Sequence, residues 1–359
     1  MSWALLRQFP PLVWTVILGT FMVRTSYYMV WPFLSILLYR EYGLSATTIG
    51  AMLGATAAIS TLVSFYGGWL SDKLGRRNIL LAGCLVSVLC YGLLGFSHSV
   101  FWLGLGVLGS GLSSGLIDAP GKALMADSLA SAKARELALH LRYFLLNLGA
   151  ALGPLLGVTL GINAQQQTFL LLSGSYLLLG AAFLWGFAQS RVAVTRGNEL
   201  GLRVAIKVLW RDRGFLLLVL ANLLMNLVYS QFHSPLVQYL TRAGTPEVAS
   251  LIAILVATNA LTVVLLQFPL LHLLARWPGK VRLQVGITLF LGAQVLFALG
   301  DPQQWSHWIG ALLGGWILAQ WNGQLLYALM ALLCLLTFLL YEWGARMPRP
   351  ELARANPGQ

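Results

Sequence analysis

Asp118 stands within a long apolar run, in the stretch LIDAPGKAL, with Lys122 four residues further on. A carboxylate in such surroundings is costly, so where one occurs it marks an ion or proton path by default. A spacing of four puts Asp118 and Lys122 on one helical face, where they can pair. Desolvation favours the protonated form of a carboxyl and a neighbouring cation favours the ionised form. A carboxyl held between those pulls has the chemistry of a proton carrier. The competing reading is a structural ion pair near the end of its helix. Arg142, with Tyr143 and Asn147 close by, is either a partner for Asp118 or a solvated residue at a helix start.

A second group lies near the N-terminus. Arg24 is followed by Tyr27, Tyr28 and Trp31 at spacings of three, four and seven. One helical face therefore carries a cation and three aromatic rings. Such a face suits an aromatic or anionic small molecule, with cation–π support; alternatively Arg24 pairs with a carboxylate and the rings are packing. In ANLLMNLVYSQFHSP, the residues Asn222, Asn226, Tyr229 and His233 recur at spacings of four, three and four. That polar stripe is a candidate substrate surface, which Asn259 and Gln267 extend. His233 is a secondary proton candidate, since a lone histidine in a helix more often makes a satisfied hydrogen bond. No metal-ligand cluster, phosphate-binding glycine loop or nucleophile elbow occurs. The expectation is no metal, no cofactor and no enzymatic reaction.

The elements that position these residues follow from composition. The 359 residues are 58% hydrophobic and 9% charged, with a mean hydropathy of +0.76. Soluble domains carry about 25% charged residues. Apolar stretches of about 20 residues are the length a bilayer core requires, and they lack the alternation of barrel strands. Spans are expected at 11–38, 48–70, 78–96, 101–122, 138–161, 167–188, 214–240, 248–275, 281–299 and 324–341, with a half-span at 309–320. The fold class is thus all-α and polytopic, with ten full transmembrane helices plus a half-span. The net charge of +12 sits mostly in short connections, as in SDKLGRR and across 189–213. That placement is the positive-inside pattern rather than a nucleic-acid surface. It puts both termini and the 189–213 linker in the cytoplasm. Cys84, Cys90 and Cys334 lie in apolar segments and suggest no disulfide framework. The N-terminal stretch shows no cleavable-signal pattern, so its span is expected to be retained.

The linker separates two weakly similar halves: a bundle over 1–188 and a second over 214–345, followed by a tail over 346–359. WPFLSILLYR at 31–40 lines up with HSPLVQYLTR at 233–242, an offset of 202. Parallel repeats of this kind build many transporters. Further on, GPLLG at 153–157 matches GALLG at 310–314, an offset of 157. The second half is thus about 45 residues short around 301–310, where span ten and the first half of span eleven are expected.

The stretch GGWLSDKLGRR at 67–77 resembles the signature that follows the second span of the major facilitator superfamily, through Gly68, Leu70, Asp72, Lys73, Gly75, Arg76 and Arg77. The resemblance implies a loop motif that gates the cytoplasmic side, its aspartate contacting the start of span eleven. GAALGPLLG at 149–157 is similar to the fifth-span motif of proton-linked drug exporters in that superfamily. Its Gly149, Gly153 and Gly157 form one smooth face for close helix packing, and Pro154 bends the helix. LGLGVLGSGLSSG at 103–115 departs from the exporter pattern, which carries an arginine there.

These features imply a secondary transporter that exports small amphipathic or drug-like molecules by proton antiport through alternating access. The expected setting is a bacterial inner membrane, and the expected partners are lipid, a small-molecule substrate and protons. Low charge density among the polar positions points to apolar or weakly cationic cargo. The alternatives are a sugar or amino acid transporter of the same fold, or a chain that its missing 45 residues leave unable to transport.

Overall fold

The computed structural model describes residues 3–160, 165–189, 210–230 and 247–299, with isolated positions at 237, 241, 336, 337 and 339. Among the described residues the regular structure is entirely helical. After a short α1 (Trp3–Leu6), α2 (Pro11–Val30) runs through a 3₁₀ turn at Trp31–Phe33 into α3 (Leu34–Arg40). There follow α4 (Ala46–Leu74), α5 (Arg76–Phe96), α6 (Val100–Asp127), α7 (Ala132–Thr159) and α8 (Phe169–Gln189). The remaining helices are α9 (Arg213–Ser230), α10 (Val248–Leu273) and α11 (Gly279–Leu299). Seven helical segments among the described residues are long and apolar enough to cross a membrane. The expected half-span, all but three residues of the last span and most of the basic linker lie outside the described residues, as does His233.

Local chemistry sets the helix ends. Pro11 occupies the first turn of α2, where its missing N–H is no loss. Ser45 caps α4 by accepting from the Thr48 amide, and Ser131 caps α7 by accepting from the Ala134 amide. That second cap corrects the expected start of span five, since the helix begins at Ala132 rather than 138. The expected loop at GGWLSDKLGRR is also corrected. Asp72 and Lys73 are helical in α4, Arg76 and Arg77 open α5, and Gly75 alone makes the turn at φ +91°. Glycine supplies that backbone conformation without a Cβ penalty.

One compact unit comprises Met1–Glu199 with Thr241–Gln267; the other comprises Leu200–Leu240 with Phe268–Gln359. In the first, α2 packs on α7 and α8, α5 packs on α6 and α8, and α4 packs on α6. Lipid offers apolar side chains no reason to hide, so helices associate through close packing and polar contacts. The α4–α6 seam shows both. Thr56 Oγ1 donates to the Val107 carbonyl at 3.2 Å, and Ser60 and Ser114 hydroxyls meet at 2.8 Å. Leu62, Leu89, Phe96 and Phe101 stay exposed, as a lipid-facing surface requires.

The small-residue face of α7 is occupied by α2. A Cβ on Gly149 would lie 3.0 Å from the Phe21 carbonyl oxygen, one on Gly153 would lie 2.5 Å from that of Thr25, and one on Gly157 would lie 3.0 Å from that of Met29. The partners climb in step, so the two helices run parallel. Gly68, by contrast, has nothing within 4 Å of a Cβ position, and the close approach belongs to Gly67, 3.2 Å from the Gly115 carbonyl oxygen. Helix rotation, which a glycine pair does not disclose, decides which of the two faces α6.

Candidate functional site

α6 and α7 form a hairpin joined by the short segment 128–131. Asp118 lies nine residues before the end of α6, and Arg142 ten residues after the start of α7. At 1.5 Å per residue, both stand about 14 Å from the turn and therefore level with each other. Arg142 Nη2 donates to Asp118 Oδ1 at 2.5 Å. Lys122 Nζ donates to Asp118 Oδ2 at 2.7 Å from one turn further along α6. Both carboxylate oxygens are thus engaged, one from each helix of the hairpin. Arg142 is 10% exposed at its side chain and Asp118 37%, so the aspartate keeps an open side.

Arg24 occupies the polar face of α2. Its guanidinium lies over the Tyr27 ring at 5.5 Å. Tyr27 stacks on Trp31 at 5.2 Å and meets Tyr28 edge-on at 5.4 Å. Arg24 makes no hydrogen bond or ion pair with any described residue, and Asp118 acts on it only through the longer-range field. Tyr28 also packs against Ala150 and Ala151 of α7 and Ala260 of α10. Asn147, a candidate for the substrate surface, is buried and donates to the Tyr143 carbonyl of its own helix at 2.9 Å.

At the end of the hairpin, a second charge cluster joins three helices. Arg76, the first residue of α5, donates to Asp72 of α4 at 3.2 Å and reaches Asp127 of α6 at 2.5 Å. Lys73 lies over the Trp69 ring at 5.3 Å, and Arg77 is exposed. Asp127 was not among the candidates, because span four was expected to stop at 122. The helix continues to Asp127 and carries a second carboxylate to its end. Its signal was available in the polar break DSLASAK that follows.

Of the candidates further along, Asn222, Asn226 and Tyr229 all fall on α9, and Asn259 falls on α10. Gln267, two turns beyond Asn259, donates to the His140 carbonyl of α7 at 3.0 Å. Other polar contacts were not anticipated. The Ser26 and Ser175 hydroxyls meet at 2.6 Å between α2 and α8, and Tyr176 stacks on Tyr91 at 5.4 Å. Adjacent polar residues in the middle of the sixth apolar run were the available sign. Among the described residues no group of three metal-ligating side chains occurs.

The chain matches the family described as Major Facilitator Superfamily over residues 16–309. It is 31% identical to the uncharacterized MFS-type transporter YqjV of Bacillus subtilis over 300 residues, covering 82% of this chain and 72% of that protein. It is 24% identical to a Na(+), Li(+), K(+)/H(+) antiporter of Planococcus maritimus, covering 79% and 73% of the two chains. It is also 24% identical to the multidrug resistance protein MdtH of Shigella sonnei, covering 88% and 78%. Among solved structures, the nucleoside transporter NupG superposes with a TM-score of 0.63 at 12% identity, covering 94% of this chain and all of that one. That likeness is one of fold.

Proposed function

This chain belongs to the Major Facilitator Superfamily, and on that premise we propose that it exports small amphipathic molecules in exchange for protons. It is an integral membrane transporter, and its matched relatives and structural neighbours are transporters rather than enzymes. The observation that carries the proton reading is the level placement of Asp118 between Arg142 and Lys122. Two bonded cations favour the ionised carboxylate, so Asp118 takes up a proton as Arg142 and Lys122 move off it, loosening the α6–α7 hairpin about 14 Å from its turn. Loss of the proton restores the pair. A carboxyl whose charge state changes the packing of two spans is the bistable element that proton coupling needs. The antiporter and multidrug names among the relatives agree with this reading.

The charge pattern favours an organic cargo over an alkali cation. Hard cations are held by oxygen ligands bearing negative charge. Here Asp118 is bonded by two cations, Lys122 and Arg142, and Arg24 adds a third positive charge within reach of its field. The cluster of Asp72, Arg76 and Asp127 is read as the gate, tying α5 to the ends of α4 and α6. Both termini and this cluster belong on the cytoplasmic side of a bacterial inner membrane, by the distribution of basic residues. Inverted membrane vesicles energised with a pH gradient test the reading. Uptake of ethidium or 2-naphthoate that collapses when the gradient is dissipated supports it; uptake of neither, with protein present, refutes it.

A further inference from the structure

We propose that Arg24 anchors a carboxylate on the cargo, so that the transported class is aromatic carboxylates. This deepens the transport reading above and rests on it. The first observation is a cation that bonds no carboxylate among the described residues. Arg24 lies inside a membrane span, and its donors make no hydrogen bond to any described residue. Arg24 as a residue is half-buried rather than sealed. Asp118, the carboxylate whose field reaches it, has Oδ1 taken by Arg142 and Oδ2 taken by Lys122. A guanidinium within a span that bonds no described carboxylate is expensive to keep. It is matched best by an incoming anion.

The second observation is what surrounds it. Tyr27 and Trp31 are nearly parallel, at 20° between planes, and Tyr28 stands at 80° to Tyr27. Tyr27 and Tyr28 follow Arg24 on α2 and Trp31 opens the 3₁₀ turn after it; the rings are half-buried, with an edge left beside the fork of donors. A planar guanidinium fits a carboxylate through two parallel hydrogen bonds. An aryl group attached to that carboxylate would then lie against the rings. A cationic cargo would meet three positive groups and a neutral one would leave the guanidinium unpaired. The proposal departs here from the expectation of apolar or weakly cationic cargo. Export of an anion and import of a proton also move charge in the same direction, so the membrane potential as well as the pH gradient would drive the exchange.

Equilibrium binding to the purified full chain in lipid nanodiscs, at one pH with no gradient, tests this. The probes are 2-naphthoate, its neutral methyl ester and the cation 2-naphthylmethylamine. Saturable binding of 2-naphthoate is expected, with the ester and amine weaker by about tenfold or more, the range of a lost charged hydrogen bond. Arg24→Gln should lose naphthoate binding by a similar factor, and Arg24→Lys should recover part of it. Gel filtration and thermal unfolding of the variants show that they are folded. Absence of naphthoate binding, equal binding of the ester or amine, or unchanged binding by a folded Arg24→Gln would each overturn the proposal. Binding through Arg24 without gradient-driven transport would leave the anion site standing and remove the antiport reading. Gradient-driven movement of the amine with no naphthoate binding would do the reverse.

Discussion

Arg142 on α7 and Asp118 on α6 face each other across a helical hairpin, with Nη2 donating to Oδ1 at 2.5 Å. The arginine side chain is nearly enclosed, while the aspartate stays open and shares its second oxygen with Lys122. The pair therefore has a sealed partner and an accessible one.

Removing one member of this pair leaves the other charged without compensation, which for a fully buried pair costs about 3–5 kcal/mol. Asp118→Asn strands the enclosed Arg142 but opens a pair that water already reaches, so its cost should fall below that range, at about 1–3 kcal/mol. The double variant Asp118→Asn with Arg142→Gln should recover most of the stability. Thermal unfolding in detergent, run as a double-mutant cycle, measures the coupling. Proton-driven transport should remain absent in the double variant.

Gly153 is the tightest point of the α2–α7 seam, since an added Cβ would lie 2.5 Å from the Thr25 carbonyl oxygen. That neighbour is backbone and yields only if a helix shifts. Gly153→Ala should therefore destabilise by about 1–3 kcal/mol, as overpacking does. Gly68→Ala, whose Cβ meets open space, should change stability by less than about 0.5 kcal/mol, as surface substitutions usually do. Melting temperatures of the two variants settle the comparison.

Arg76 is bonded more closely to Asp127 than to Asp72, at 2.5 Å against 3.2 Å. Asp72 is also the more exposed partner, at 48% against 39%. Asp72→Asn should cost at most about 1 kcal/mol, as exposed pairs do. Asp127→Asn should cost more, and a ranking in the opposite order by chemical unfolding would contradict this geometry.

Much of this arrangement was legible beforehand. Apolar length marked the spans, and the spacing of Asp118 and Lys122 gave their pair directly. The Asp118–Arg142 contact was within reach too, because a short connection between helices makes them antiparallel neighbours. What spacing could not supply was rotation and continuation. Gly68 and Gly67 are indistinguishable until the helix is turned against α6. Asp72 and Lys73 read as loop because charge usually ends a span, whereas here a single glycine makes the turn. Asp127 was passed over for the same reason. Arg24 shows the limit of composition: a cation with three rings is visible in two turns of sequence, but that no described carboxylate bonds it is a tertiary fact.

The central claim, proton exchange through Asp118, is tested most directly in proteoliposomes holding a trapped pH dye and the purified chain. Addition of 2-naphthoate should move protons against the direction of cargo in the unaltered chain. A folded Asp118→Asn variant should bind the probe yet move no protons with it. Proton movement equal in the two proteins would contradict the account.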